Sequence, residues 1–169
     1  MVKNEPFEEY LLDHALHRCR RKKYEVQIQR VVKGTEYNVP GQTDVVYNFL
    51  EQSYESTLDA DYIVTGTMGE MWPICSEALV GYEIDDEKSI EIYPKKYESK
   101  SRDEVYYYIQ IDVNQQFELT LSSGAVLHGN AEGVEHDAGD YVVFTSMEKK
   151  DYRIINGVVF SRTYERIDV

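Results

Sequence analysis

Three short anchors recur in the same order along this chain. Tyr24-Glu25-Val26-Gln27-Ile28 lines up with Tyr107-Tyr108-Ile109-Gln110-Ile111 at an offset of 83. Asp61-Tyr62-Ile63-Val64 lines up with Asp140-Tyr141-Val142-Val143 at 79, and Tyr82-Glu83 with Tyr164-Glu165 at 82. Common order and near-constant spacing point to a tandem duplication, with the small shifts falling in loops. Each copy then has about 65–75 residues, a size at which a lone hydrophobic core is marginal. The expected architecture is α+β: two small, mostly antiparallel β-sheet units at 20–94 and 104–169, behind an N-terminal helix within 1–19 and packed together as one compact domain. A cleft between pseudo-symmetric halves is the expected place for a ligand.

Local patterns fill in that frame. Pro6 to Leu16 predicts an amphipathic helix, with proline near its start, acids in the first turn and the basic cluster Arg18–Lys23 at its end. Alternation predicts strands over Lys23–Val32, Ile90–Tyr93, Val105–Val113, Phe117–Leu121, Tyr141–Phe144, Tyr152–Ile155 and Val158–Tyr164. Asp61–Thr65 and Glu70–Ile74 predict a hairpin through Gly66-Thr67-Met68-Gly69, and Glu118–His128 a second one turning at Ser122-Ser123-Gly124. Thr43 is the expected cap of a helix over Asp44–Gln52, and the polar run Tyr97–Asp103 the expected linker.

Charge is the next constraint. The total of −13 disfavours duplex nucleic acid or an anionic membrane as a broad-surface ligand, since both need a positive field. Residues 34–94 carry 13 acids against Lys88 alone, so most of the excess lies in one central stretch. Two readings are open: a solvated acidic face that keeps a small protein soluble, or a partner-binding face with Glu70, Glu77, Asp85, Asp86 and Glu87 as its candidate residues and a basic host protein as the partner. No apolar run is long enough to span a bilayer, and the first residues lack the apolar core of a signal peptide. Two cysteines, Cys19 and Cys75, fit a reducing compartment better than a disulfide framework. Tyrosine is abundant, at 15 of 169 residues, as expected of strands and of interfaces where one end of a side chain stays wet.

The anchors also carry a family resemblance. Lys22–Ile28, Asp61–Gly66, Gly69-Glu70-Met71-Trp72-Pro73-Ile74 and Gly81-Tyr82-Glu83 resemble a group of small phage and prophage proteins related to PGDYG-type domains. In the second copy Gly139-Asp140-Tyr141-Val142-Val143 and Phe160-Ser161-Arg162-Thr163-Tyr164-Glu165 match that pattern more fully. Tyr24 stands where the family usually has proline, and the second copy lacks the family's Gly-Glu-x-Tyr-Pro hairpin. The resemblance implies a phage-encoded, non-structural accessory protein working in the host bacterial cytoplasm. It supplies no catalytic residues.

Residue types narrow the chemistry. His14, His17 and Cys19 form H-x-x-H-x-C, but no second ligand pair completes a zinc set. The acidic loop Glu132–Asp140 lacks EF-hand spacing, and no P-loop, G-x-G-x-x-G or G-x-S-x-G occurs. No metal, cofactor or catalytic set is therefore expected. An enzyme of unrecognised class would have to work through separated carboxylates. The primary expectation is stoichiometric binding to a host factor, as an inhibitor of host defence. The alternative is sequestration of a small ligand or nucleotide signal, with Trp72, Tyr62 or Tyr141 stacking on a base and Arg20, Arg21 or Arg153 meeting phosphate. Edge strands in such sheets also allow homo-oligomers.

Overall fold

The computed structural model describes residues 2–3, 11 and 14–167. In chain order the strands are β1 (Val2–Lys3), β2 (His17–Arg21), β3 (Glu25–Arg30), β4 (Val45–Asn48), β5 (Ser53–Ser56), β6 (Tyr62–Thr65) and β7 (Met71–Ile74). Short 3-10 turns at Ser76–Gly81 and Glu87–Ser89 follow. Then come β8 (Lys95–Glu98), β9 (Val105–Gln110), β10 (Phe117–Thr120), β11 (Val126–Gly129), β12 (Tyr141–Phe144), β13 (Arg153–Ile155), helix α1 (Gly157–Thr163) and β14 (Tyr164–Arg166). The fold is mostly antiparallel β, the exception being the β1–β10 pair.

The chain divides into two compact units, Lys23–Ser101 and a second that joins Met1–Lys22 to Arg102–Val169. The first holds a four-stranded sheet in the order β7-β6-β3-β8 and the β4–β5 hairpin. Val26, Ile28, Tyr62, Val64, Leu79 and Ile90 form its core. The second unit holds a five-stranded sheet in the order β13-β12-β9-β2-β14. All four residues of β12 are buried because both faces of this sheet are covered. One face packs Ile109, Val142 and Phe144 against Phe117 and Leu119 of β10. The other packs Cys19, Tyr106, Tyr108, Tyr141 and Val143 against Phe160 of α1 and Tyr164.

The two sheets are built alike. β3 and β9 share one burial pattern, with side chains alternating between exposed and buried. Gln27 faces Thr65 as Tyr107 faces Phe144, so the structural match sets Glu25 against Val105 and not Tyr24 against Tyr107. Asp61 accepts the Ser76 N–H at 2.9 Å, and Asp140 accepts the Gly157 N–H at the same distance. The Val31 N–H reaches the Asp61 carbonyl and the Ile111 N–H the Asp140 carbonyl, at 3.0 and 2.8 Å.

Several expectations need correction. The N-terminal helix over Pro6–Leu16 lies largely outside the described residues. Leu11 is buried, 14–16 are not helical, and His17 already opens a strand. The α-helix among the described elements lies near the C-terminus instead, where Val158–Tyr164 was expected to be a strand. Its cause is Asn156, whose side-chain oxygen accepts the N–H groups of Val158 and Val159 and so starts a helix despite the β-branched residues. Gly157 is required there, since a Cβ would lie 2.0 Å from the His136 carbonyl oxygen. The expected helix over Asp44–Gln52 is the hairpin β4–β5, with Asp44 and Gln52 at positive φ and Tyr47 against Tyr54. Ile90–Tyr93 is not a strand; the Arg30 side chain takes the Ile90 carbonyl and its N–H the Glu91 carbonyl. The expected linker begins inside β8.

Candidate functional site

Parity along the strands decides which side chains meet in the unit containing α1. Cys19 is buried on the α1 face, so Arg21, two residues on, points the same way. Tyr106 sits opposite Cys19, Tyr164 opposite Arg21, and Arg153 opposite the buried Val143. Arg21, Tyr106 and Arg153, together with Arg102, Glu104, Thr145, Asp151 and Tyr152, line an open cleft of about 380 Å3, with the Tyr164 hydroxyl bonded to two of its arginines. Three arginines face two carboxylates, which leaves a net positive site on a protein that is acidic overall.

The arginines are pre-positioned. Arg153 Nη2 donates to the Tyr164 hydroxyl at 3.1 Å and Arg21 Nε donates to the same oxygen at 3.3 Å. Arg21 lies over the Tyr164 ring at 5.5 Å and Arg153 over the Tyr106 ring at 5.4 Å. Tyr164 is itself fixed by a parallel stack on Phe160, with centroids 5.1 Å apart. An arginine carries five N–H donors in a rigid fork that matches a planar or tetrahedral anion.

The acids of the cleft are occupied. Asp151 accepts the Thr145 hydroxyl at 2.5 Å and its N–H at 2.9 Å. Burial pushes the Asp151 carboxyl up, but these hydrogen bonds outweigh it and hold the carboxyl below its ordinary value. Tyr106 donates to Glu104 at 3.1 Å; burial foremost, then the Glu104 charge, holds the Tyr106 phenol above its ordinary value. Neither histidine nor cysteine lines the cleft.

The expected ligand residues are thus only partly brought together. Arg21 and Arg153 meet; Arg20 points to the opposite face, paired with Glu165 at 2.5 Å. Tyr141 belongs to the same unit but is stacked on Phe160 at 3.9 Å, and its hydroxyl takes Arg166 Nη2 at 2.6 Å. Trp72 and Tyr62 lie in the other unit. There Trp72 faces Val64 as Arg153 faces Val143, half-buried against the core. Tyr62 donates to Glu87 at 2.6 Å, and burial foremost pushes its phenol up to about 12. Arg102, Glu104, Tyr106 and Tyr164 were not anticipated. Arg102 lies in the stretch read as a linker, and only the fold brings it to Arg153.

The acidic set divides too. Glu70 is buried, its carboxylate turned back to the Met68 N–H at 3.0 Å under Gly66, so it contributes to no surface. Glu77, Asp85, Asp86 and Glu87 are exposed, and Val80 stands 73% exposed in the same region of the chain. Hydrogen bonds from Tyr62 and Ser76 hold the Glu87 carboxyl below its ordinary value. His14 and His17 line a second cleft of about 440 Å3 with Tyr108 and Arg166, and no group of three metal-ligating side chains occurs among the described residues. No described helix is long and apolar enough to cross a membrane. No family model, curated protein or solved structure matches the chain.

Proposed function

We propose that the protein acts by stoichiometric binding rather than turnover, as a phage-type accessory factor in the host bacterial cytoplasm, and that its arginine–tyrosine cleft holds a small phosphate-bearing ligand of the nucleotide type. The observation that carries this reading is the convergence of Arg21 and Arg153 on one tyrosine hydroxyl, with Arg102 beside them. Tyr106 and Arg153 line one small opening, an aromatic ring beside a guanidinium, the combination that nucleotide recognition uses. Both units descend, in this reading, from one duplicated ancestor, and the three arginines lie in one compact unit. Equilibrium dialysis against a panel of mono-, di- and cyclic nucleotides tests it. One ligand per chain is expected, weakened ten-fold or more by Arg153→Ala, since each charged hydrogen bond contributes roughly 1.5–3 kcal/mol. Absence of binding across the panel, or turnover of any member, would sink it.

A second reading rests on Val80, an exposed apolar side chain in the same stretch of chain as the exposed acids Glu77, Asp85 and Asp86. An apolar centre with a charged rim is how interfaces are built, and the charge suits a basic host protein. Val80→Asp should abolish retention of such a partner at physiological salt while leaving nucleotide binding unchanged.

A further inference from the structure

The connectivity of the two sheets contains an exchange that the repeat alone does not imply. β2 leads into β3 through only residues 22–24, yet it pairs with β9, where Arg18 faces Tyr107 and Cys19 faces Tyr106. β8 leads into β9 through residues 99–104, yet it pairs with β3, where Val26 faces Tyr97 and Gln27 faces Lys96. The two leading strands occupy matching places. Lys22 N–H reaches the Thr163 carbonyl at 3.1 Å after α1, and Lys100 N–H reaches the Gly81 carbonyl at 2.9 Å after the Ser76–Gly81 turn. Tyr164 faces Arg21, and Tyr82 faces Ser99.

We infer that the chain consists of two repeats, 17–94 and 95–169, that have exchanged their leading strands, so that each compact unit is completed by the other repeat and the arginine cleft is a composite of both. Arg21 arrives on the leading strand of the first repeat, whereas Arg102, Tyr106, Asp151 and Arg153 come from the second. The inference stands on strand pairing and does not depend on which ligand the cleft takes.

Side-chain size explains why the strands do not fold back on their own repeats. By the matching registers Cys19 and Tyr97 are counterparts. Cys19 is fully buried among Tyr106, Tyr108, Tyr141, Phe160 and Tyr164, a cluster already crowded with rings. Tyr97 packs on the more aliphatic core around Val26 and Ile28. Reversing the exchange would force a sixth ring into the first site and leave a void in the second, and both changes are destabilising. A hairpin is otherwise within reach, because a loop of three to six residues is enough for one.

The test uses the full chain with a protease site inserted between Tyr93 and Pro94, a stretch exposed on every residue from Glu91 to Pro94. After cleavage the two halves should co-elute at the mass of the uncut chain and separate only in denaturant. Halves that part under native conditions would overturn the inference. The substitutions R18C and Y107C add a direct readout. The Arg18 carbonyl accepts from Ile167 N–H, so towards β9 the Arg18–Tyr107 pair is the non-hydrogen-bonded kind whose Cβ atoms lie closest. Oxidation of the cleaved variant should merge two bands into one at the mass of the whole chain on a non-reducing gel, and reduction should restore two. The same variant uncut should stay monomeric on oxidation. A folded variant that fails to cross-link, or one that cross-links at twice the chain mass, contradicts an exchange within the chain.

Discussion

Tyr164→Phe removes one oxygen and leaves the ring, which makes it the sharpest probe of the cleft. The hydroxyl accepts from Arg153 at 3.1 Å and from Arg21 at 3.3 Å, and the residue is 3% exposed. The ring contacts with Phe160 and Tyr106, at 5.1 and 5.9 Å, survive the change. Charged hydrogen bonds contribute roughly 1.5–3 kcal/mol each, but both donors are only part-buried and the longer bond is weak. A loss of about 1–2 kcal/mol in folding stability follows, or a fall in Tm of roughly 3–6 °C for a chain of this length. Both guanidinium groups also lose the acceptor that aims them, so affinity for a phosphate-bearing ligand should drop about five- to thirty-fold, at 1.4 kcal/mol per factor of ten. Urea melts and calorimetric titration with inorganic pyrophosphate give the two numbers. Unchanged stability together with unchanged or tighter binding would refute the claim that Tyr164 positions the arginines.

Three further outcomes are expected. Gly157→Ala should destabilise the unit containing α1 by about 3 kcal/mol or more, because a Cβ there meets the His136 and Gly139 carbonyl oxygens at 2.0 and 2.2 Å and neither backbone can retreat cheaply; a urea melt within 1 kcal/mol of the parent would contradict it. Asp151 has a lowered pKa in the folded chain, so its contribution is present above the unfolded value near 3.8 and is lost as pH falls through the folded value; Thr145→Val should flatten that acid limb of stability against pH, and an unaltered limb would count against the Thr145 hydrogen bonds as its source. Tyr62 has the opposite sense, with a phenol raised to about 12, so stability is lost as pH climbs from about 10 towards 12; Tyr62→Phe should remove that alkaline step, and its persistence would exclude Tyr62 as the titrating group.

The strands that the sequence shows most plainly are those bounded by turn residues. Tyr141–Phe144 follows Gly139-Asp140, where glycine at a φ of +131° comes within 2.1 Å of the Ile111 carbonyl at a would-be Cβ. Patterning misled where one polar side chain overrode it. Asn156 turned a Val-Val-Phe run into a helix, and Asp44 at a φ of 60° turned a capped apolar run into a hairpin. The hairpin makes the two repeats more alike than the expected helical insert allowed, since each now carries one between its central strand and its Asp-Tyr strand. Arg21 and Arg153 stood out as basic residues near strands. The arrival of Arg21 beside Arg153, Arg102 and Tyr106 did not, because it depends on β2 pairing outside its own repeat. Local pattern holds no signal for that choice. It is set by the fit of Cys19 among five rings.

The central claim, that this cleft is an anion site, is tested most directly by the arginine Nε–Hε signals of the folded protein during titration with inorganic pyrophosphate. Saturable shifts confined to Arg21, Arg153 and Arg102, with Arg20 unmoved in its pair with Glu165, are the predicted result. Shifts of equal size at every arginine, or none at any of them, would contradict it.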